Sequence, residues 1–254
     1  MKKVLLLLVL SAVVFQPAFS DSVFKLDLTK DIILGTAAVG LTIPAFILSP
    51  SPGTHTPEGD INSLDRQFMF KWNSSVDTAS SVIAIGMLVL PVISVADNIT
   101  DLKVLGTYGA MYAEAFLLTF STKELMKDLI SRDRPYTYFG PVPSGEENDY
   151  FNSFPSGHTA FAFLGAGFLS STFLFDHPDS KWKIPVIAGS YTLAAAVGVM
   201  RVLSGSHFVT DVLVGAAIGS LYGWIVPILH KEQRKDDTVT VTPLPMGFMV
   251  SFKF

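Results

Sequence analysis

The sequence predicts an all-α protein, a bundle of six membrane-spanning helices followed by a short β-like C-terminal tail. Three observations carry that expectation. The 254 residues are 49% hydrophobic and only 16% charged, with a mean hydropathy of +0.44. Six apolar stretches recur along the chain, each near the roughly 17–25 residues a helix needs to cross hydrocarbon. The polar residues capable of chemistry gather at the ends of these stretches rather than in their middles.

Taken in order, Lys2 and Lys3 precede an apolar run over 4–15, and Ala18-Phe19-Ser20 places small residues where a signal peptidase reads. Residues 1–20 therefore read as a signal peptide, or as an uncleaved signal anchor, since a leucine-rich core can also stay in the bilayer. The six stretches follow at 32–48, 80–95, 105–120, 159–175, 184–203 and 208–229. The alternative for them is buried helices of a soluble bundle; the absence of a charged face on the last three favours membrane helices. Two long polar connections interrupt them. The first, 49–78, reads as a plain surface excursion, whereas the second, 123–156, is rich in Pro, Gly and charge and carries candidate chemistry. The helical domain is placed at 21–235. Beyond it, 236–254 alternates with period two on each side of Pro243-Leu244-Pro245-Met246-Gly247, which reads as a short hairpin.

Charge and composition exclude several functions. A net charge of −4 provides no basic face for a phosphate backbone, so nucleic acid is not an expected partner. With no cysteine in the chain, disulfides, thiolate catalysis and Cys-based zinc sites are absent.

Three polar clusters remain: Lys127 with Arg134-Pro135; Pro155-Ser156-Gly157-His158; and Arg201, His207 and Asp211. Lys127 and Arg134 are seven residues apart, two helical turns, and share a face if the helix continues to Pro135. Arginine pairs two phosphate oxygens at once, and lysine adds a compact charge for a third. The second cluster precedes an apolar run, so its backbone N–H groups form a helix N-terminus, a ready anion site. There Gly157 allows close approach, Ser156 adds a donor, and His158 is a candidate proton donor. His207 and Asp211, four apart, place a carboxylate one turn beyond an imidazole, where it can hold Nδ1–H and aim Nε2 outward as nucleophile or base. Arg201 can reach the same phosphate. Elsewhere, Glu146, Glu147 and Asp149 read as solvated loop charges, and His177 and His230 as interfacial residues.

These residues resemble a known pattern. KDLISRDRP over 127–135, PSGH over 155–158 and RVLSGSHFVTD over 201–211 are similar to the three-part signature of the type 2 phosphatidic acid phosphatase superfamily, with every spacing kept. One departure is Met200, where the family usually has a small polar residue before the arginine. The resemblance implies a helical phosphatase core in which Lys127, Arg134, Ser156, Gly157 and Arg201 hold the phosphoryl group. It further implies that His207 attacks phosphorus, Asp211 orients it, and His158 protonates the leaving oxygen and then activates water. No metal and no other cofactor is implied.

Within that superfamily, the apolar composition favours the membrane phosphatases acting on a lipid phosphate monoester or diphosphate. Secreted acid phosphatases of small esters and a non-catalytic anionic-lipid binder are the alternatives. The expected partners are the lipid phosphate and the bilayer, with no obligatory protein partner. Charge bias puts Lys103, Lys181, Lys183, Lys231, Arg234 and Lys235 on the face opposite the motifs. This predicts a bacterial inner-membrane protein with its site toward the periplasm. A cleaved signal with an even number of crossings predicts the reverse, and both topologies stand at this point.

Overall fold

A computed structural model describes residues 23–47, 56–98, 100–232, 239–244 and 247–252. The expected signal peptide lies outside the described residues. Six long helices run through them, joined by one short one. α1 (Leu28–Ile47) starts where Asp27 Oδ1 accepts the N–H groups of Thr29 and Lys30, both at 3.0 Å. Asn62 caps the short α2 (Ser63–Gln67) by accepting from the Asp65 N–H. Asn73 likewise caps α3 (Ser74–Val89) through the N–H of Val76. Such caps satisfy donors that a helix leaves without internal carbonyls. Pro91 has no N–H to give the carbonyl of Met87, so α3 tightens into 3₁₀ turns over Leu90–Asn98. The Met87 carbonyl, which accepts from the Leu90 N–H instead, lies so close to Gly165 that a Cβ there would sit 1.9 Å from it.

α4 (Leu102–Leu129) is capped by Asp101 and is the longest helix. It stops at Leu129, so the helix expected to carry Lys127 and Arg134 on one face ends before Arg134. Arg134 precedes a proline, which disfavours the helical conformation, and it adopts an extended φ −77°, ψ 150°. Loop carbonyls take the N–H groups a helix would have used: Arg132 N–H donates to Phe151 at 2.9 Å and Arg134 N–H to Tyr150 at 2.7 Å. α5 (Gly157–Asp176), α6 (Lys183–Leu203) and α7 (Val209–His230) complete the bundle.

α5 and α7 pack backbone against backbone along their length. Gly215, Gly219 and Gly223 recur every four residues and line one face of α7. Added Cβ atoms would lie 2.5 Å from the Ser156 carbonyl, 2.0 Å from that of Ala160 and 2.8 Å from that of Leu164. Where lipid removes the hydrophobic drive between helices, such close backbone contact is what van der Waals packing exploits. Met111, Leu118, Leu164, Phe168, Val226 and Leu229 fill the core among α4, α5 and α7. Outside, Val82, Ile85, Val89, Ile184, Leu193, Val199, Leu213 and Leu221 are exposed, an apolar girdle suited to hydrocarbon.

Among the described residues, four helices are long and apolar enough to cross a membrane: Ser74–Ala96, Gly157–Asp176, Lys183–Leu203 and Val209–His230. α4 carries Lys103, Glu114, Lys123, Glu124, Lys127 and Asp128, and α1 carries Lys30 and Asp31 near its start. In the tail, β1 (Val239–Leu244) and β2 (Gly247–Phe252) pair antiparallel, Val239 opposite Phe252 and Leu244 opposite Gly247.

Candidate active site

The ends of α4, α5, α6 and α7 converge with the start of α3. Ser156 precedes α5, and the first bond inside that helix runs from Ala160 N–H to the Ser156 carbonyl. The N–H groups of Gly157, His158 and Thr159 therefore have no carbonyl within the helix to bond, which makes this turn an anion cradle. The turn is held from α7: the Ser156 N–H donates to the Asp211 carbonyl at 3.1 Å, and Gly215 lies against the Ser156 carbonyl.

His207 sits in the turn between α6 and α7. That turn needs a glycine at 205, where φ is +74° and a Cβ would meet the Phe70 carbonyl at 2.4 Å. His207 Nδ1 is 2.7 Å from the Ser153 carbonyl. A carbonyl only accepts, so Nδ1 carries the hydrogen and Nε2 presents a lone pair, 3.4 Å from Arg134 Nη1. Burial first, then the charges of Arg134, Arg201, Lys127 and His158, hold the His207 pKa well below the ordinary histidine value. These influences favour the neutral ring.

Asp211 takes a position different from the one its spacing suggests. Its Oδ2 is 3.7 Å from His207 Nδ1, beyond hydrogen-bond reach. The reason is local: Asp211 is the third residue of α7, and Oδ2 folds back to accept the Phe208 N–H at 2.8 Å and the Ser153 hydroxyl at 2.5 Å. It acts on His207 at one remove, by gripping the residue whose carbonyl fixes the imidazole. Asp211 Oδ1 accepts from Arg132 at 2.5 Å, and Arg132 donates in turn to Asp65 Oδ2 at 2.7 Å. Burial tends to raise the Asp65 pKa, but hydrogen bonds from Arg132, Thr210 and Asn62 outweigh it and leave the carboxyl below its usual range. The first polar connection is therefore no plain excursion, because Asp65 lies fully buried beneath the site.

Each expected phosphate-holding arginine has a carboxylate partner. Arg134 donates through Nε to the Asp149 carbonyl at 3.0 Å, through Nη1 to the Ser206 carbonyl at 3.1 Å, and ion-pairs with the Asp149 carboxylate. Asp149 is thus an ion-pair partner as well as the loop charge that the sequence suggests, with its side chain still 44% exposed. Arg201 Nη1 donates to Asp77 Oδ1 at 2.5 Å and to the Ser80 hydroxyl at 3.1 Å, while its Nε is buried without a partner. That orphan donor marks a place where an acceptor is wanted. Lys127 has no ion-pair partner among the described residues, and the side chain of Lys123, one turn earlier, passes 3.4 Å from where a Cβ on Gly157 would be.

His158 Nε2 lies 3.1 Å from the Ser81 hydroxyl, which itself donates to the Asp77 carbonyl at 3.0 Å. With its one hydrogen so placed, the serine accepts, and His158 Nε2 carries a proton. The structure therefore brings together Lys127, Arg134, Ser156, Gly157, His158, Arg201, His207 and, behind them, Asp211. Sequence reasoning missed Asp65, Asp77, Ser81, Arg132 and Ser153. Of these only Arg132, inside the first motif, carried a signal, as a third basic residue in the segment with Lys127 and Arg134.

A buried imidazole, arginines and a helix N-terminus converge at one end of an apolar bundle, an arrangement suited to an anion. A family model described as the PAP2 superfamily matches residues 108–235, half of the chain, and the chain belongs to that superfamily. Over 119 residues it is 36% identical to the "Bacitracin transport permease protein BcrC" of Bacillus licheniformis, covering 45% of this chain and 54% of that protein. Over 86 residues it is 38% identical to the "Lipid A 1-phosphatase" of Porphyromonas gingivalis, covering 32% of this chain and 18% of that protein. The matches thus span about half or less of these relatives' lengths. A solved structure titled "Crystal structure of the first transmembrane PAP2 type phosphatidylglycerolphosphate phosphatase from Bacillus subtilis" aligns with 79% of this chain and 99% of its own, at 22% identity and a TM-score of 0.39.

Proposed function

We propose that the protein is a six-helix integral membrane phosphatase that hydrolyses a lipid phosphate monoester or diphosphate through a phosphohistidine at His207, without a metal in the reaction. The observation that carries this reading is the His207 ring: Nδ1–H is pinned on the Ser153 carbonyl, and the Nε2 lone pair is left facing Arg134. An imidazole so oriented is an activated nucleophile.

In this account Lys127, Arg134, Arg201, Ser156 and the N-terminal N–H groups of α5 take the phosphoryl oxygens, including the contact that Arg201 Nε lacks. The Nε2 lone pair of His207 forms a bond to phosphorus as the bond to the leaving oxygen breaks. In its imidazolium form, His158 delivers the Nε2 proton to that oxygen. Neutral His158 then takes a proton from water, the water oxygen attacks phosphorus, the P–N bond breaks, and phosphate leaves with His207 restored. The cations and backbone donors supply the charge stabilisation that a metal would otherwise give. The relatives' names, a lipid A phosphatase among them, and the apolar girdle support a lipid substrate over a small soluble ester.

We place the site on the periplasmic face of a bacterial inner membrane. Lys103, Lys183 and Lys231 lie at the ends of α4, α6 and α7 remote from the site, which supports that orientation by the positive-inside rule. The test is phosphate release by detergent-purified wild type and His207→Ala over a panel of lipid mono- and diphosphates and one soluble ester, with chelator. Release from lipids that persists in chelator and vanishes in the variant is expected. Preference for the soluble ester would replace the lipid reading, and lipid binding without turnover would replace the enzyme reading.

A further inference from the structure

Far from the phosphate site, three residues remote in sequence meet: Asp31 in α1, Glu114 in α4 and His230, the last residue of α7. The sequence suggests an interfacial His230, but the structure buries its side chain completely. His230 Nδ1 is 2.9 Å from the Val226 carbonyl, so a neutral ring carries its hydrogen there and turns the Nε2 lone pair the other way. That lone pair faces Asp31 Oδ1 at 2.8 Å and Glu114 Oε2 at 3.4 Å. Glu114 Oε2 is buried and makes no hydrogen bond. Two carboxylate oxygens and a nitrogen lone pair pointed at one spot repel one another unless a cation lies between them.

We infer that Asp31, Glu114 and His230 bind one divalent transition-metal ion, of the class of Zn²⁺ or Mn²⁺. The three donor atoms lie within 4.8 Å of one another. Ligands about 2.1 Å from a tetrahedral ion stand roughly 3.4 Å apart, and cis ligands of an octahedral ion about 3.0 Å apart; the nitrogen–oxygen separations of 3.4 Å to Glu114 and 2.8 Å to Asp31 lie at and just below these values. One imidazole with two carboxylates is a donor set suited to these ions. A divalent ion neutralises both carboxylates, whereas a proton on Nε2 leaves one negative charge over. Neighbouring lysines are engaged elsewhere: Lys30 Nζ donates to the Leu229 carbonyl at 2.6 Å, and Lys25 pairs with Glu232 at 2.6 Å. Asp31 is 23% exposed and gives the ion a way in.

The ion is a staple and takes no part in phosphoryl transfer. Thirteen residues of helix separate Glu114 from Lys127, about 20 Å. The ion ties α1 and α4 to the end of α7, where the chain before α1 already docks: the Lys25 N–H donates to the His230 carbonyl at 2.9 Å, and the Glu232 N–H to that of Val23 at 2.9 Å.

The test uses full-length protein stripped with chelator, desalted, and given Zn²⁺ or Mn²⁺, with retained metal counted by elemental analysis and Tm recorded. About one equivalent retained is expected, with Tm rising by about 5–10 °C at a hundredfold excess over Kd. Glu114→Gln and His230→Gln, which keep side-chain volume, should lose both the retained ion and the rise. His207→Ala should keep both, which separates this site from the phosphatase reading. Retention of neither metal, or equal retention in the Gln variants, overturns the proposal and leaves His230 as an imidazolium between two carboxylates.

Discussion

The separation of α5 from α7 sets the geometry of the site, and Gly219→Ala tests this with a single methyl group. A Cβ at Gly219 would stand 2.0 Å from the Ala160 carbonyl oxygen, whereas ordinary contact begins at 3.4 Å, so the helices must part locally by 3.4 − 2.0 = 1.4 Å. One turn away, the Ser156 N–H donates to the Asp211 carbonyl at 3.1 Å, and that bond ties the anion cradle to the helix beginning just after His207. Lengthening it by even 1 Å carries it beyond hydrogen-bond reach. Overpacking costs about 1–3 kcal/mol in stability, and a 1 Å misplacement of catalytic groups costs about 10²-fold in rate. The assay is phosphate release in detergent alongside Tm, with Gly189→Ala as control, because nothing lies within 4 Å of a Cβ there. The expected result is a kcat about 10²-fold lower in Gly219→Ala and unchanged in Gly189→Ala. Wild-type kcat and Tm in Gly219→Ala would refute the claim that this contact positions the cradle.

Further predictions concern the charges. Asp65, its pKa lowered on folding, stabilises the protein above its unfolded pKa, and that contribution is lost as pH falls through the folded value. Asp65→Asn should therefore cost about 1–3 kcal/mol at neutral pH, measured by denaturant unfolding, with wild-type and variant curves converging at acid pH; a constant gap would sink the assignment. Arg134 helps hold the His207 pKa down, so Arg134→Gln should move the acid limb of the kcat/KM profile to higher pH, besides lowering its height. An acid limb that stays put would contradict the electrostatic account of His207. His158→Ala should slow release from an alkyl phosphate by about 10²–10⁴-fold and from a p-nitrophenyl phosphate much less, since that leaving group needs no proton; equal losses would argue against proton donation.

Much of the architecture was legible in the apolar runs: four of the six stretches fall on helices long and apolar enough to cross a membrane, and the motifs fall at helix ends because polar groups collect where helices leave the apolar layer. Isolated carboxylates in polar connections were not legible. Asp65 and Asp77 have no periodic pattern around them, and their value comes from partners such as Arg132 and Arg201, 67 and 124 residues away. Asp211 shows the limit of spacing arguments. Four residues put it on the His207 side of α7, yet its place in the first turn gave it the Phe208 N–H instead, and the Ser153 carbonyl took the imidazole. The run from Lys127 to Arg134 misled for a similar reason, as the residue before Pro135 resists the helix and loop carbonyls compete for its N–H.

The central claim is covalent catalysis at His207. The direct measurement is rapid quenching of purified enzyme mixed with ³²P-labelled lipid phosphate, followed by mapping of protein-bound label. The account predicts an alkali-stable, acid-labile phosphoryl group on His207 that is absent from His207→Ala and accumulates in wild type when water attack is slowed. Sustained turnover by His207→Ala, or label carried on another residue, would contradict it.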